Sequence, residues 1–250
     1  MLLRSLTAVV FSFAASLRTV AAQNGTSFLR FSSAADGQGL LLAAPGKPPA
    51  IIIATSDEPG AKRAANDLAA DFERVLGSKA TVSSGTSVPE SGPVIIIGTI
   101  GKSPIVDGLI SSSKIDVANV KGQWETYVTQ VVPNGAGQPT ALVIAGSDVR
   151  GSIYGIYDIS EQIGVSPWYW WADVAPTKRQ YIYAPLEAKV HGPPSVKFRG
   201  IFLNDEAPAL TGWAEKNFSK SQYGNPFTSQ FYARVMELIL RLKGNYLWPA

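Results

Sequence analysis

Two short runs of apolar residues, with a helical pattern between them, constrain the fold of this chain most. The runs are AIIIAT at residues 50–55 and PVIIIGTI at residues 93–100. Neither run alternates with polar residues, which is typical of strands buried on both faces of a parallel sheet. The segment between them predicts a helix that ends at Gly77 and carries one apolar stripe, formed by Ala64, Leu68, Phe72 and Val75.

The alternation of strand and helix continues towards the middle of the chain. Strand-like segments occupy residues 124–132 and 140–145, and residues 149–163 predict a helix after a turn. Strands interleaved with helices indicate a layered α/β domain. The aromatic segment PWYWWADV, residues 167–174, reads as a further strand. We expect it to pack one domain against another rather than to form a sugar platform.

A second structural unit follows the segment HGPPS at residues 191–195, which suits neither a helix nor a central strand. We interpret this segment as a linker between an α/β domain at residues 23–190 and a unit at residues 196–250. The unit reads as a strand over 196–203, a loop over 207–226, a helix that stops at Gly244, and the strand NYLWPA. This order predicts a βαβ crossover.

One crossover cannot bury both faces of its parallel strands. We therefore expect residues 196–250 to be the start of an incomplete (β/α)8 barrel, since a closed barrel takes roughly 250 residues, and we expect the chain to be truncated.

The first 22 residues have the pattern of a secretory signal peptide. Arg4 ends a basic start, an apolar segment covers residues 6–17, and small side chains at Val20 and Ala22 precede the predicted cleavage site. The apolar segment is too short to span a bilayer. We therefore expect a secreted, extracellular protein.

Charge and composition exclude several classes of function. Cleavage of the signal would remove Arg4 and Arg18 but no acidic residue, which lowers the formal net charge of +3 by two. A nearly neutral chain gives no indication of nucleic-acid or membrane partners. Cysteine is absent and His191 is the only histidine, so thiol chemistry, a Ser-His-Asp triad and a histidine metal cluster have no basis within this chain. We expect no cofactor and no metal. Two sequons, at Asn24 and Asn217, are potential glycan acceptors.

Polar residues follow the first strand of the second unit, in FRGIFLNDEAPALTGW. Asn204, Asp205 and Glu206 stand where a parallel strand would meet a ligand crevice. Adjacent strand residues point to opposite faces, so Asp205 and Glu206 do not fit the facing pair of catalytic carboxylates. We assign Asp205 to the inward face with Arg199, Ile201 and Leu203, and Phe198, Phe202 and Glu206 to a face against helices. A merely solvated loop is the alternative.

Trp248 ends the second strand of this unit as Asp205 ends the first. Equivalent ends of neighbouring barrel strands are close in space, so an indole and a carboxylate would flank one pocket. An indole face packs on the C–H side of a pyranose, and a carboxylate accepts hydrogen bonds from its hydroxyls. A core position for Trp248 is the alternative.

Three longer motifs are distinctive: GSDVRGSIYGIYDISEQIGVSPWYWWADV, KFRGIFLNDEAPALTGWA and LKGNYLWPA. They resemble glycoside hydrolase family 115, the secreted xylan α-1,2-glucuronidases. The resemblance implies a hexosaminidase-type α/β domain, then a (β/α)8 catalytic barrel and further C-terminal domains. It also implies an inverting hydrolase that releases glucuronic acid, or its 4-O-methyl ether, from glucuronoxylan and its oligosaccharides.

The resemblance also carries the family's substrate-pocket residues onto Asp205 and Trp248, and we add Asn204 as a substrate-binding candidate. The family's general acid and base lie later in its barrel, so we assign no catalytic residue here and expect the fragment itself to be inactive. The alternatives are a non-catalytic glycan-binding protein and a related barrel hydrolase of different sugar specificity.

Overall fold

The computed structural model describes residues 27–35, 39–89, 92–132 and 141–249. The strands within these residues are β1 (Arg30–Ser32), β2 (Leu40–Ala43), β3 (Ala50–Ile53), β4 (Thr81–Ser84), β5 (Val94–Thr99), β6 (Tyr127–Val132), β7 (Ala141–Gly146), β8 (Tyr181–Ala184), β9 (Lys189–His191), β10 (Gly200–Leu203) and β11 (Tyr246–Pro249). The helices are α1 (Pro59–Leu76), α2 (Pro104–Ser111), α3 (Val149–Ile163), α4 (Leu210–Asn217) and α5 (Ser229–Arg241).

A six-stranded sheet forms the centre of the first unit, in the order β4-β3-β5-β7-β6-β9. Strands β4, β3, β5 and β7 run parallel to one another, whereas β6 is antiparallel to β7 and β9 is antiparallel to β6. The predicted alternation of buried strands and helices is confirmed. Helix α1 ends at Gly77, which adopts a left-handed φ of 78° as a C-cap glycine does.

Side chains of the central strands alternate between two cores. Ile51 and Ile53 of β3 enter the core shared with α1 and α3, while Ile52 between them enters the core shared with α2. A small antiparallel sheet, β1-β8-β2, covers part of the first core through Leu42 and Ile182. Both faces of the six-stranded sheet are therefore covered, which explains why its central strands read as unbroken apolar runs.

The second unit contains the predicted parallel crossover. Strands β10 and β11 pair in parallel, with Phe202 opposite Trp248, and α4 and α5 lie between them in the chain. Helix α4 falls within the segment predicted as a loop. Its sequence, LTGWAEKN, includes a glycine and has no side-chain cap at its first residue, so it carries no helix-start signal.

Three further boundaries differ from the sequence predictions. His191 is the last residue of β9 and pairs with Tyr127 of β6, so the sheet extends one residue into the predicted linker. Strand β9 lies at the edge of the sheet, and it ends at His191 because Gly192 and Pro193 follow immediately. Strand β10 begins at Gly200 rather than residue 196. The segment at residues 167–171 forms turns rather than a strand. The predicted signal peptide and the sequon at Asn24 lie outside the described residues.

Candidate functional site

The two faces of β10 and β11 have opposite environments. Ile201, Leu203 and Leu247 pack against a core formed by α4 and α5, whose buried members are Ala214, Phe231, Val235 and Ile239. Phe202 and Trp248 lie on the other face, where their side chains are 60% and 62% exposed. The prediction that Phe202 faces the helices is therefore wrong. Aliphatic residues fill the side that faces the helices, so the bulk of an aromatic side chain did not indicate which face the helices cover.

The uncovered side of this sheet, which we call the open face, is aromatic. It consists of Phe202, Tyr246 and Trp248, and the Phe202 and Trp248 rings meet edge to face with centroids 5.8 Å apart. Tyr246 and Trp248 share the face because they are two residues apart on β11. Trp248 thus lies at the carboxyl end of its strand with its indole accessible. Within the described residues the Trp248 side chain is exposed rather than packed in a core.

The polar residues after β10 form a turn into α4. The Oδ1 atom of Asn204 accepts a hydrogen bond of 3.1 Å from the backbone N–H of Glu206. The hydroxyl of Thr211 donates to the backbone carbonyl of Asp205. Asn204 and Glu206 are exposed and Asp205 is half-buried. Alternation continued from β10 would place Asp205 on the helix side with Ile201 and Leu203 and Glu206 on the side of Phe202, so the strand does not support the predicted inward orientation of Asp205.

The opposite ends of β10 and β11 are fixed by a buried carboxylate, Glu125, which lies just before β6. Its side chain accepts hydrogen bonds from Arg150 at 2.6 Å, from Arg199 at 2.5 Å and from Asn245 at 2.7 Å. We call these four residues the Glu125 hub. Arg199 and Asn245 immediately precede β10 and β11, so the hub attaches both strands to the first unit.

The acidity of Glu125 follows from these contacts. Burial by itself would raise the pKa of Glu125, but the hydrogen bonds from Asn245, Arg199 and Arg150 outweigh it and hold the pKa below its ordinary value of 4.5. Glu125 also has a left-handed φ of 51°, which is unusual for a residue other than glycine. The chain bends at this residue, two positions before β6 begins.

A second ionic contact joins the units through α5. Arg241 is buried and binds Asp71 of α1 at 2.8 Å and Glu237 of α5 at 2.9 Å. Tyr154 of α3 donates to the carbonyl of Gly244 at 2.8 Å. Sequence reasoning identified none of these partners. Arg241 and Asp71 are 170 positions apart and leave no local pattern, whereas the four-residue spacing of Glu237 and Arg241 on α5 was a signal that could have been used.

The aromatic segment before the linker packs between the units, as predicted. Trp171 contacts Trp213 and Phe231 with ring centroids 5.3 and 6.0 Å away, and its Nε1 donates to the carbonyl of Arg234 at 3.2 Å. Trp170 meets Trp213 edge to face at 6.0 Å. These rings are therefore used mainly in contacts between the first unit and α4–α5.

Other candidates are placed apart from the open face. His191 stacks on Tyr127 at 4.7 Å, and burial lowers its pKa. Asn217 ends α4, is exposed, and donates from Nδ2 to the carbonyl of Trp213. The described part of the chain contains no group of histidine or carboxylate side chains arranged to hold a metal. None of its helices is both long and apolar enough to cross a membrane.

Comparison with known proteins indicates the family to which the chain belongs. The model of glycosyl hydrolase family 115 matches residues 191–250, which hold β10, the polar turn and β11. A solved family GH115 4-O-methyl-α-glucuronidase, BtGH115A, with specificity for decorated arabinogalactans, is 35% identical with a TM-score of 0.70. That match covers 83% of this chain and 25% of the relative.

The other comparisons contribute less. The structure of CpGH84D matches at 9% identity and a TM-score of 0.44, over 88% of this chain and 35% of that one. No curated protein matches the chain. The chain spans about a quarter of the length of the family GH115 structure that it resembles. On the match of residues 191–250 and the likeness to BtGH115A, the chain belongs to glycosyl hydrolase family 115.

Proposed function

We propose that the chain is the N-terminal part of a secreted inverting α-glucuronidase that removes glucuronic acid, or its 4-O-methyl ether, from a plant polysaccharide. The open face carries this proposal. Exposed aromatic residues at the carboxyl end of parallel strands, next to a polar turn, suit a pyranose with its hydroxyl groups. Residues 196–250 would begin a (β/α)8 barrel, and residues 23–190 would be the accessory α/β domain attached to it.

In this proposal Trp248 packs on the sugar ring, while Asn204 and Asp205 bind its polar groups. The exposed indole of Trp248 and the exposed side chain of Asn204 support their parts directly. Asp205 lies two residues beyond the end of β10, where strand alternation no longer fixes its direction. The general acid and base would come from residues that follow this chain in the complete protein, and this fragment alone would be inactive.

Two polysaccharides compete as substrate. The resemblance to the family's xylanolytic members favours α-1,2-linked glucuronic acid on glucuronoxylan, whereas BtGH115A has specificity for decorated arabinogalactans. The complete protein should be incubated with each polysaccharide in turn, and the released uronic acid measured. Release from glucuronoxylan alone supports the xylan assignment. Release from arabinogalactan alone keeps the glucuronidase and replaces the substrate.

A non-catalytic glycan-binding protein is the second candidate, because exposed aromatic residues serve binding as well as hydrolysis. The same incubation separates the two. Binding to either polysaccharide without any release of uronic acid by the complete protein would favour the binding module.

The role of Asp205 is tested by Asp205→Ala in the complete protein. A hydrogen bond to a charged group contributes about 1.5–3 kcal/mol. At about 1.4 kcal/mol per decade, its loss should reduce kcat/KM by about ten- to a hundredfold. Glu206→Ala tests the competing carboxylate of the same turn, and Glu215→Ala, at an exposed side chain of α4, is the matched control that should leave kcat/KM nearly unchanged. If Glu206→Ala abolishes turnover in a folded protein while Asp205→Ala is silent, the two roles are reversed.

A further inference from the structure

A cleft of about 570 Å³ lies between α1 of the first unit and the helices α4 and α5 of the second. Four arginines line it: Arg63 and Arg74 from α1, and Arg234 and Arg241 from α5. Clefts between structural units are common positions for ligand sites. Because the cleft lies on the helix side of β10 and β11, its lining residues are different from those of the open face.

The charges of the cleft do not balance. Arg241 is buried and is neutralised by Asp71 and Glu237. Arg74 also contacts Asp71, Arg234 also contacts Glu237, and Arg63 contacts Asp67 at 3.5 Å. Four guanidinium groups thus share three carboxylates. The side chains of Arg63, Arg74 and Arg234 are 56%, 33% and 38% exposed, so a ligand can reach them.

Guanidinium groups suit a carboxylate ligand. Each carries five N–H donors in a planar fork, and a contact to one carboxylate oxygen leaves donors that a second carboxylate can use. Arginine is also the residue that most often recognises carboxylates through two parallel hydrogen bonds. The excess positive charge of the cleft therefore favours a ligand with negative charge.

Aromatic and amide side chains complete the cleft. Its walls include Tyr169, Trp170 and Phe218 beside the arginines, and the guanidinium carbon of Arg234 lies 5.0 Å from the Trp170 ring centroid. Asn217 and Gln230 contribute amide groups that both donate and accept hydrogen bonds. The Tyr169 ring lies against the guanidiniums of Arg74 and Arg241, 4.5 and 4.9 Å from its centroid, so these rings are walls that hold the arginines rather than open stacking faces. Guanidiniums for a carboxylate and amides for hydroxyl groups, within aromatic walls, suit a uronic acid.

We propose that this cleft binds an acidic polysaccharide through the carboxylates of its uronic acid residues. The site requires no hydrolysis, and it extends the proposed function from cleavage at one glucuronic acid to recognition of an acidic chain. A polyanion that lacks sugar rings would meet the arginines but not the aromatic walls, so it should bind more weakly.

The test measures binding of the complete protein to polygalacturonate, which carries a carboxylate on every ring and is not a substrate of an α-glucuronidase. The double substitution Arg63→Gln and Arg234→Gln should raise the Kd by about tenfold, since two charged contacts are lost. Methyl-esterified polygalacturonate, which has the same rings without the charge, should bind weakly to the unchanged protein and equally weakly to the variant. Arg30→Gln, on the exposed edge strand β1, is the matched arginine control and should leave the Kd unchanged.

A second variant protects the test from misfolding, because Arg63 and Arg234 also contact carboxylates of the fold. Gln230→Glu changes an exposed side chain in the first turn of α5, where a negative charge is compatible with the helix dipole. It should weaken binding of polygalacturonate by about threefold or more. Unchanged binding in both variants would overturn the proposal.

Two further outcomes would also overturn it. Equal affinity for the methyl ester would mean that carboxylates are not recognised, and equal affinity for polyacrylate would mean that sugar rings are not. Release of uronic acid from glucuronoxylan or arabinogalactan is measured separately, so failure of the proposed hydrolysis and failure of this site remain distinguishable.

Discussion

The two sheets of the molecule differ in how many faces they bury. The six-stranded sheet has a core on each side, so side chains that point in opposite directions, such as Ile52 and Ile53, are both buried. The β10–β11 sheet packs Ile201 against helices but leaves Phe202 exposed on its other side. Apolar residues in these two sheets therefore have different environments. In the six-stranded sheet they are buried on both sides, whereas on the open face they are exposed within the described residues.

The contacts that join the two regions differ from both. They combine the aromatic contacts of Trp170 and Trp171 with buried ion pairs, in which Glu125 and Asp71 of the first unit hold Arg199 and Arg241 of the second. Buried ion pairs of this kind impose a specific geometry, because removing one partner leaves an uncompensated charge. The unit that contains the six-stranded sheet thus holds β10 and β11 at their amino ends, away from the polar turn.

The largest contrast should come from two phenylalanines. Phe72 of α1 is completely buried, and Phe72→Ala should lower the free energy of unfolding of the 250-residue chain by about 3–5 kcal/mol through lost burial and a cavity. Phe202→Ala on the open face should cost less than about 1 kcal/mol, because the ring is already largely in water. Chemical denaturation of both variants measures the difference. Equal losses would mean that the open face is not open.

A comparable loss should follow the removal of the buried guanidinium at the junction. Arg241→Met removes the guanidinium that Asp71 and Glu237 share and leaves them only the partly exposed Arg74 and Arg234, so the free energy of unfolding should fall by up to about 3–5 kcal/mol. The control is Lys220→Gln, which removes the exposed pair with Glu215 and should cost no more than about 1 kcal/mol. If Arg241→Met were as mild as Lys220→Gln, the junction would not hold the two regions together.

The Glu125 hub should give a smaller, pH-dependent effect. Because the pKa of Glu125 is lower in the folded chain than its ordinary value of 4.5, its contribution is fully present at neutral pH. That contribution should disappear as the pH falls through the lowered pKa. Glu125→Gln should therefore cost about 1.5–3 kcal/mol at pH 7 and less at pH 3.

The role of the Glu125 hub is tested by the melting temperatures of the unchanged protein and of Glu125→Gln, measured between pH 3 and pH 7. The curves should converge as the pH falls. Glu215→Gln, at an exposed side chain, should remain parallel to the unchanged protein, and parallel curves for Glu125→Gln would remove the carboxylate from this role.

Much of the six-stranded sheet, and most of the helices, could be predicted, because their signals are local. Each of α1, α3 and α5 has an apolar stripe and a glycine at or near its end, and the central strands are continuous apolar runs. The order of the strands and the pairing of β9 with β6 depend on distant residues. The antiparallel pairing of β6 with β7 had a local signal that was not used, because the connection between them is too short for a parallel crossover. Helix α4 was missed because it is short, has no side-chain cap and contains Gly212, although Leu210, Trp213 and Ala214 have helical spacing.

The site was harder to predict than the fold. Trp248 was placed correctly at a strand end, since position along the chain sufficed to identify it. The direction of Phe202 was predicted wrongly, because alternation separates two faces without saying which one the helices cover. Only the packing of α4 and α5 onto Ile201 decides that. The Glu125 hub combines residues up to 120 positions apart and could not be found locally.

The most direct test of the open face as a substrate site compares two aromatic residues of β11. Trp248 and Tyr246 share the face, but Trp248 lies at the carboxyl end of the strand and Tyr246 at the amino end. In the complete protein, kcat/KM for release of uronic acid should fall about ten- to a hundredfold in Trp248→Ala, as about 1.5–3 kcal/mol of apolar contact with the sugar is lost. Tyr246→Ala should stay within about threefold of the unchanged protein, since a barrel strand meets substrate at its carboxyl end. Equal losses in both variants, or no loss in Trp248→Ala, would contradict the assignment.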